Sequence, residues 1–113
     1  MNVLVVVLNY KGWRDTIKCI DSLKEQTYND FQIYLIENNS QDESAEELEP
    51  LVKGNDQIIF DVQPTNTGFT GGVNIGIQYA IDNNFDAVAL FNNDAQAEKN
   101  WLENLVKSAK NTG

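Results

Sequence analysis

One acidic residue follows two asparagines in the run Asn92-Asn93-Asp94, directly after an apolar stretch that predicts a buried strand. A carboxylate at the end of such a strand is well placed to hold a hard divalent cation through oxygen. A turn or helix N-cap ahead of residues 95–99 accounts equally well for the same residue types. An EF-hand is excluded, because Ala87 stands where its loop would need glycine and Asn93 stands where it would need glutamate.

A second polar cluster is the glycine-rich segment 66–72, which reads N-T-G-F-T-G-G. It lacks both the G-x-G-x-x-G spacing of dinucleotide sites and the Gly-Lys-Ser/Thr ending of a P-loop. Glycines at 68, 71 and 72 would allow the backbone to approach a ligand closely. The same glycines, continued by Gly76, also suit tight packing of a helix against a sheet, so both interpretations stand.

Two more clusters follow the first and second predicted strands. Glu37 opens a polar loop that ends at Asp42, and an acidic residue in this place can accept hydrogen bonds from a ribose or a base in nucleotide-binding α/β folds. The loop is also typical of an Asx-rich turn that caps the next helix through Ser40 or Asp42. After the first strand come Asn9 and Tyr10, whose ring would either pack on a nucleobase or cover the edge of the core.

The elements that must position these clusters alternate between short apolar runs and helical periodicity. Strands are predicted at 3–8, 33–36, 58–62 and 86–91, and helical spacing of apolar residues follows each of them. This order predicts an α/β fold with a mainly parallel sheet of about four strands flanked by helices. Ligands in such sheets sit beyond the carboxyl ends of the strands, so all four clusters should converge on one rim.

The composition of the chain argues against several kinds of binding and catalytic site. The 113 residues fit one domain, 1–113, and the net charge of −9 disfavours binding to nucleic acid. The lack of histidine excludes Ser-His-Asp sites, Cys-His sites and the usual zinc sites within this chain, and the single Cys19 suits a core position on a helix. No apolar run approaches the ~20 residues of a membrane span and no signal peptide is recognisable, which predicts a cytoplasmic location.

Four passages lie in order along nearly the whole chain: V-V-V-L-N-Y with C-I-D-S-L at 5–10 and 19–23, E-N-N-S-Q-D at 37–42, N-T-G-F-T-G-G-V-N-I-G at 66–76, and L-F-N-N-D at 90–94. They resemble family 2 glycosyltransferases of the GT-A fold. The second passage is similar to the D-N-x-S-x-D nucleotide motif of that family, the third to its rhamnosyltransferase-like members, and the fourth to the L-x-N-x-D form of its DxD motif. The resemblance implies a Rossmann-like GT-A nucleotide-binding half.

The resemblance also implies a role for each cluster in binding a nucleotide-diphosphate sugar. Glu37 would contact the base, and Asp94 would coordinate Mg²⁺ or Mn²⁺ that bridges the diphosphate. Two departures matter, because Glu37 is one methylene longer than the usual Asp and Asn92 replaces the first Asp of a strict DxD. The predicted nucleotide-sugar-binding residues are Asn9, Tyr10, Glu37, Asn39, Asp42, Gly68, Gly71, Asn74, Asn92 and Asn93, and the predicted metal ligand is Asp94.

The implied reaction is an inverting transfer, in which an acceptor hydroxyl displaces the nucleoside diphosphate and a carboxylate base takes the proton. In this family the base lies downstream of the DxD motif, so no base is named, and the chain is expected to be a truncated piece that is inactive alone. The donor would be a UDP- or dTDP-sugar, with rhamnose as a candidate, and the acceptor a saccharide or a lipid-linked molecule.

The alternative is a non-catalytic nucleotide-binding or interaction domain derived from such an enzyme. A receiver-like signalling domain fits poorly, since it would need an acidic pair after the first strand, where Asn9 and Tyr10 stand. The exposed sheet edge of a half-fold predicts a homodimer or a swapped assembly. For the full-length protein, peripheral contact with the inner face of the membrane is a further expectation.

Overall fold

The computed structural model describes residues 1–112, which alternate strictly between strand and helix as the apolar pattern predicts. The strands are β1 (Val3–Asn9), β2 (Phe31–Glu37), β3 (Ile58–Val62) and β4 (Ala87–Leu90). The helices are α1 (Trp13–Lys24), α2 (Ser44–Val52), α3 (Gly68–Asp82) and α4 (Trp101–Thr112).

The four strands run parallel in one sheet of order β3-β2-β1-β4, which confirms the predicted fold class. The central strand β1 pairs with β2 along its whole length, from Val3↔Phe31 to Asn9↔Glu37. Its pairing with β4 is shorter and runs from Val3↔Ala87 to Val6↔Leu90. The chain builds outward from β1 to β3 and then returns to the opposite side of β1. This reversal is a topological switch point, which opens a crevice at the carboxyl ends of β1 and β4.

Strand β1 is apolar at every position before Asn9, so both faces of the sheet must be shielded from water. Helices cover both faces. Odd-numbered residues of β1 face a core shared with α1, α2 and α4, in which Ile20, Leu48 and Leu102 are fully buried. Even-numbered residues face α3, with Ala80 buried against them. No helix within residues 1–112 is both long and apolar enough to cross a bilayer.

The glycine-rich segment begins a helix and is not an extended loop. Gly68 opens α3 with a φ of 74°, in the left-handed region that glycine adopts without strain. Further along, a Cβ on Gly76 would lie 2.8 Å from both γ carbons of Val6, and a Cβ on Gly72 would lie 2.5 Å from Leu8 Cδ1. These two glycines therefore serve helix–sheet packing, one of the two interpretations that the residue types allow.

Candidate functional site

A cleft of about 330 Å³ opens at the switch point, between the carboxyl ends of β1 and β4 and the first turn of α3. Small-molecule sites typically measure ~300–1,000 Å³. Its lining combines apolar side chains of the sheet with amide groups and an exposed aromatic ring. The lining residues are Val6, Leu8, Tyr10, Asn38, Asn66, Gly68, Phe69, Val73, Leu90, Phe91, Asn92 and Asn93.

The structure brings part of the predicted site together. Tyr10, Gly68, Asn92 and Asn93 line the cleft, and Asp94 directly follows the last of them. The predicted residues that are not among the lining residues are Asn9, Glu37, Asn39, Asp42, Gly71 and Asn74. Polar groups from the ends of β1, β2 and β4 do converge on one edge of the sheet, as the strand order requires.

Tyr10 leaves β1 at the rim with 45% of its surface exposed. The next residue, Lys11, adopts a left-handed φ of 57°, and its ammonium lies 5.3 Å from the centre of the Tyr10 ring. The Lys11 backbone N–H donates to Ser40 Oγ at 2.8 Å, which ties this turn to the loop after β2. An exposed ring beside a cation suits both stacking on a planar ligand and attraction of an anion.

Glu37 ends β2 with its carboxylate buried, at 3% exposure. It accepts hydrogen bonds from the Asn9 side-chain amide at 3.3 Å and from the Ser40 backbone N–H at 3.2 Å, and the Ser40 hydroxyl also donates to it. A buried carboxylate is tolerated only when such donors surround it. The base contact that the resemblance implies for Glu37 would require these bonds to open, because they hold the carboxylate inside the loop.

Asn38 is absent from the predicted residues, yet it joins β2 to α3. Its Nδ2 donates to the Gly68 carbonyl at 3.0 Å, and its Oδ1 accepts the Thr67 backbone N–H at 3.1 Å. Asn66 Oδ1 accepts the Gly68 N–H at 2.8 Å in an Asx turn ahead of the helix. These bonds hold the positive end of the α3 dipole at the cleft. The signal for Asn38 was its second place in the passage E-N-N-S-Q-D.

The other predicted residues have local roles. Asp42 is exposed, and its Oδ1 accepts the Ser44 backbone N–H at 2.8 Å in an Asx turn directly ahead of α2, whose N-cap is Glu43. Asn39 is half-buried with a φ of 56°, which turns the loop after β2. On α3, Asn74 is exposed, and a Cβ on Gly71 would lie 2.9 Å from the side chain of Thr67. None of these four is placed against the cleft in the described residues.

A tight turn at residues 92–95 follows β4, closed by a bond from the Ala95 N–H to the Asn92 carbonyl at 3.1 Å. Helix α1 supports this turn at two points. Asn93 Nδ2 donates to Thr16 Oγ1 at 3.1 Å, and the Cys19 thiol lies 3.6 Å from the Asn92 carbonyl. Residues 92–95 therefore do form a turn, and the carboxylate of Asp94, at the third position of this turn, is left free for a ligand.

Asp94 is exposed, and within residues 1–112 its carboxylate takes part in no hydrogen bond or ion pair. No group of three His, Cys, Asp or Glu side chains in the described chain is arranged to hold a metal ion. One free carboxylate still fits Mg²⁺ or Mn²⁺, since Mg²⁺ commonly takes one or two protein carboxylates and completes its shell with phosphate and water. Burial first, and the Asp94 charge second, raise the pKa of the nearby Cys19 thiol to about 12.

The family model described as Glycosyl transferase family 2 matches residues 3–113. No curated protein sequence matches the chain. Among solved structures, mannosyltransferase PcManGT from Pyrobaculum calidifontis, in complex with GDP-Man and Mn²⁺, is similar with a TM-score of 0.83 and 18% identity, over 94% of this chain and 31% of its own.

Two structures of S. aureus TarS 1-349 are also similar. The complex with UDP has a TM-score of 0.80 and 18% identity over 98% of this chain and 32% of its own, and the complex with UDP-GlcNAc has 0.75 and 19% over 97% and 30%. The chain thus spans about a third of the length of these structures. Because the family model covers residues 3–113, the chain belongs to glycosyl transferase family 2, and its fold is the GT-A fold.

Proposed function

We propose that this chain is the donor-binding part of an inverting glycosyltransferase, with a nucleotide-diphosphate sugar in the cleft and Mg²⁺ or Mn²⁺ at Asp94. The observation that carries the proposal is the convergence at one cleft of the Tyr10 ring, the N-terminus of α3 and the turn that leads to Asp94. Each of them supplies something that a nucleotide sugar needs: a stacking surface, N–H groups for an anion, and an oxygen ligand for a cation.

Electrostatics favour a ligand that brings a cation with it. The net charge of −9 opposes the binding of a diphosphate unless positive potential is concentrated locally. The Lys11 ammonium and the N-terminus of α3 supply part of that potential at the rim. A divalent cation, when bound, supplies the rest and neutralises charge on the leaving diphosphate. The site should therefore bind a nucleotide more tightly with metal than without it.

The similar structures support this ligand class. The P. calidifontis enzyme was solved with GDP-Man and Mn²⁺, and TarS with UDP and with UDP-GlcNAc. At 18–19% identity they share the fold, and they do not carry a particular base or sugar over to this chain. The resemblance to rhamnosyltransferase-like members makes UDP and dTDP the first nucleotides to test and rhamnose the first sugar, with a saccharide or a lipid-linked molecule as acceptor.

The proposed reaction is a single displacement at the anomeric carbon. An acceptor hydroxyl forms the new C–O bond while the bond to the diphosphate breaks, so the configuration inverts and a base must take the hydroxyl proton. Asp94 does not suit that task, because a carboxylate bound to a cation is a weak proton acceptor. In the family that the chain resembles the base lies downstream of the DxD motif, so the proposal places the base and the acceptor site outside these 113 residues.

A thermal-shift titration with UDP, dTDP, GDP and NAD, each with and without Mn²⁺, tests the proposal. A ligand at 100 times its Kd adds about 2.7 kcal/mol of stability. We expect this for UDP or dTDP with Mn²⁺, and no stabilisation by NAD. Asp94→Ala should abolish the part that depends on Mn²⁺. The matched control, Asp56→Ala, removes an exposed carboxylate ahead of β3 at the opposite edge of the sheet and should change nothing.

Other outcomes would contradict particular parts of the proposal. Stabilisation that survives Asp94→Ala would show that the metal is held elsewhere. The absence of stabilisation by any nucleotide would contradict the proposed donor site. Nucleotide binding by a full-length protein that transfers no sugar would identify a non-catalytic domain derived from such an enzyme.

A further inference from the structure

A line of three side-chain hydrogen bonds, of which two are buried and the third is partly buried, connects the two loops that flank the cleft. Asn9 Nδ2 donates to Glu37 Oε1 at 3.3 Å, at the loop after β2. Thr16 Oγ1 donates to Asn9 Oδ1 at 2.7 Å, and Asn93 Nδ2 donates to Thr16 Oγ1 at 3.1 Å, at the turn after β4. Thr16 thus stands between the loop after β2 and the turn that holds Asp94.

The chemistry of this line needs a hydroxyl at its centre. Thr16 Oγ1 donates to Asn9 Oδ1 at 2.7 Å, with the Gly12 carbonyl at 3.1 Å as a longer second acceptor, and it accepts from Asn93. A hydroxyl is the smallest side-chain group that can both donate and accept. Asn9 and Thr16 are fully buried, so bulk water does not replace the bond between them, whereas the bond from half-buried Asn93 is only partly buried. In such surroundings each hydrogen bond orients the neighbouring groups, and the loss of one bond weakens the others in the line.

The two ends of the line depend on Thr16 to different degrees. The loop after β2 has independent anchors, since Ser40 also bonds to Glu37 and Asn38 bonds to the start of α3. The Asn93 side chain has one hydrogen bond in the described chain, the bond to Thr16. Loss of the Thr16 hydroxyl should therefore release the Asn93 side chain and loosen the middle of the turn that holds Asp94, while the Cys19 contact to the Asn92 carbonyl and the rest of the cleft stay in place.

We propose that Thr16 is a positioning residue that couples the nucleotide side of the cleft to its metal side. It touches neither ligand, and it acts by holding Asn93 and, through it, the turn that presents Asp94. The inference rests on the proposed function. It assigns to α1, a helix whose side chains are absent from the lining of the cleft, control over the gain in nucleotide affinity that Mn²⁺ produces.

Isothermal titration of the full chain with UDP, dTDP and GDP, with and without Mn²⁺, tests the coupling. The coupling is measured as the Kd without Mn²⁺ divided by the Kd with Mn²⁺, for the nucleotide that binds most tightly. We expect Thr16→Val, which keeps the shape and removes the hydroxyl, to lower this ratio about tenfold, a coupling of about 1.4 kcal/mol. The metal-free Kd should stay within about threefold, and Thr16→Ser should restore the ratio.

Each contrary result has a distinct meaning. An unchanged ratio in Thr16→Val, or an equal loss of affinity with and without metal, would overturn the positioning role while leaving the donor site intact. Absence of nucleotide binding by the unmodified chain would overturn the proposed function and this inference together. If Thr16→Val does not fold, Asn93→Ala breaks the same bond from the half-buried turn, and a normal ratio in that variant would equally refute the coupling.

Discussion

Gly76 offers a direct test of how α3 is seated on the sheet. The substitution Gly76→Ala would place a Cβ 2.8 Å from both Cγ1 and Cγ2 of Val6, closer than carbon atoms can approach without displacement. Val6 cannot move aside easily, because it lies in the central strand at 2% exposure and its β-branched side chain has a stiff χ1. The helix must therefore shift away from β1, and its neighbouring contacts must loosen.

Two opposing contributions set the change in the free energy of unfolding that Gly76→Ala causes. Overpacking a core by one methyl costs about 1–3 kcal/mol. Replacing glycine by alanine within a helix returns about 1 kcal/mol. Because the clash involves two methyl groups on a rigid residue, we expect the upper part of the first range, and thus a net loss of about 1–2 kcal/mol. Gly72→Ala is the matched comparison: its Cβ meets the flexible end of half-buried Leu8, which can rotate, so that change should be nearly neutral.

Urea unfolding followed by circular dichroism provides the assay. With a slope of about 1–3 kcal/mol per molar urea, the expected loss lowers the urea midpoint of Gly76→Ala by roughly 0.3–2 M. The decisive measurement is a double-mutant cycle with Val6→Ala, which removes both γ carbons. In that background Gly76→Ala should stabilise the fold, giving a coupling of about 2 kcal/mol. A Gly76→Ala variant as stable as the unmodified chain, or a cycle without coupling, would refute this account of the α3–β1 contact.

Three further predictions concern the core, the thiol and the sheet edge. Leu102→Ala should cost about 2–5 kcal/mol in urea unfolding because Leu102 is fully buried, whereas Leu105→Ala on the exposed side of α4 should cost less than about 1 kcal/mol; equal losses would contradict the orientation of α4. Cys19, with its pKa raised to about 12, should resist a thiol reagent at pH 7.5 until the chain is unfolded, and rapid labelling of the folded chain would contradict its burial. Because β4 is an edge strand and Leu90 is 52% exposed on it, we expect self-association at micromolar concentration in sedimentation velocity and its loss in Leu90→Lys, while a monomer at all concentrations would rule it out.

Local patterns were enough to predict the elements and their order. The run Val3–Leu8 is apolar at every position, which is typical of a strand covered on both faces, and the structure buries it between α3 and the other helices. Alternation of strands and helices forces parallel pairing with right-handed connections. From that order the convergence of polar clusters at one edge follows, and the cleft lies there.

Local patterns could not predict which side chains face the cleft. Glu37 ends β2 beside an apparent binding site, yet the left-handed residues Asn39 and Gln41 fold the loop back so that Ser40 bonds to its carboxylate. Asn38, its neighbour, lies at the cleft instead because its amide pairs with the start of α3, 30 residues away. Conformations with positive φ at non-glycine residues are rare, so residue types alone give little warning of such a turn.

The strand and helix pattern, the parallel α/β fold, the sheet edge that carries the polar clusters and the family of the chain all follow from the amino-acid sequence alone. Those features depend on hydrophobic periodicity and on the order of the motifs, which are both properties of the linear sequence. Three features became visible only in three dimensions: the burial of Glu37 and Asn9, the packing role of two glycines, and the contact of Thr16 with the turn that holds Asp94. Such roles depend on contacts between distant residues, as between Thr16 and Asn93, which are 77 positions apart and meet only because β4 returns to the side of β1.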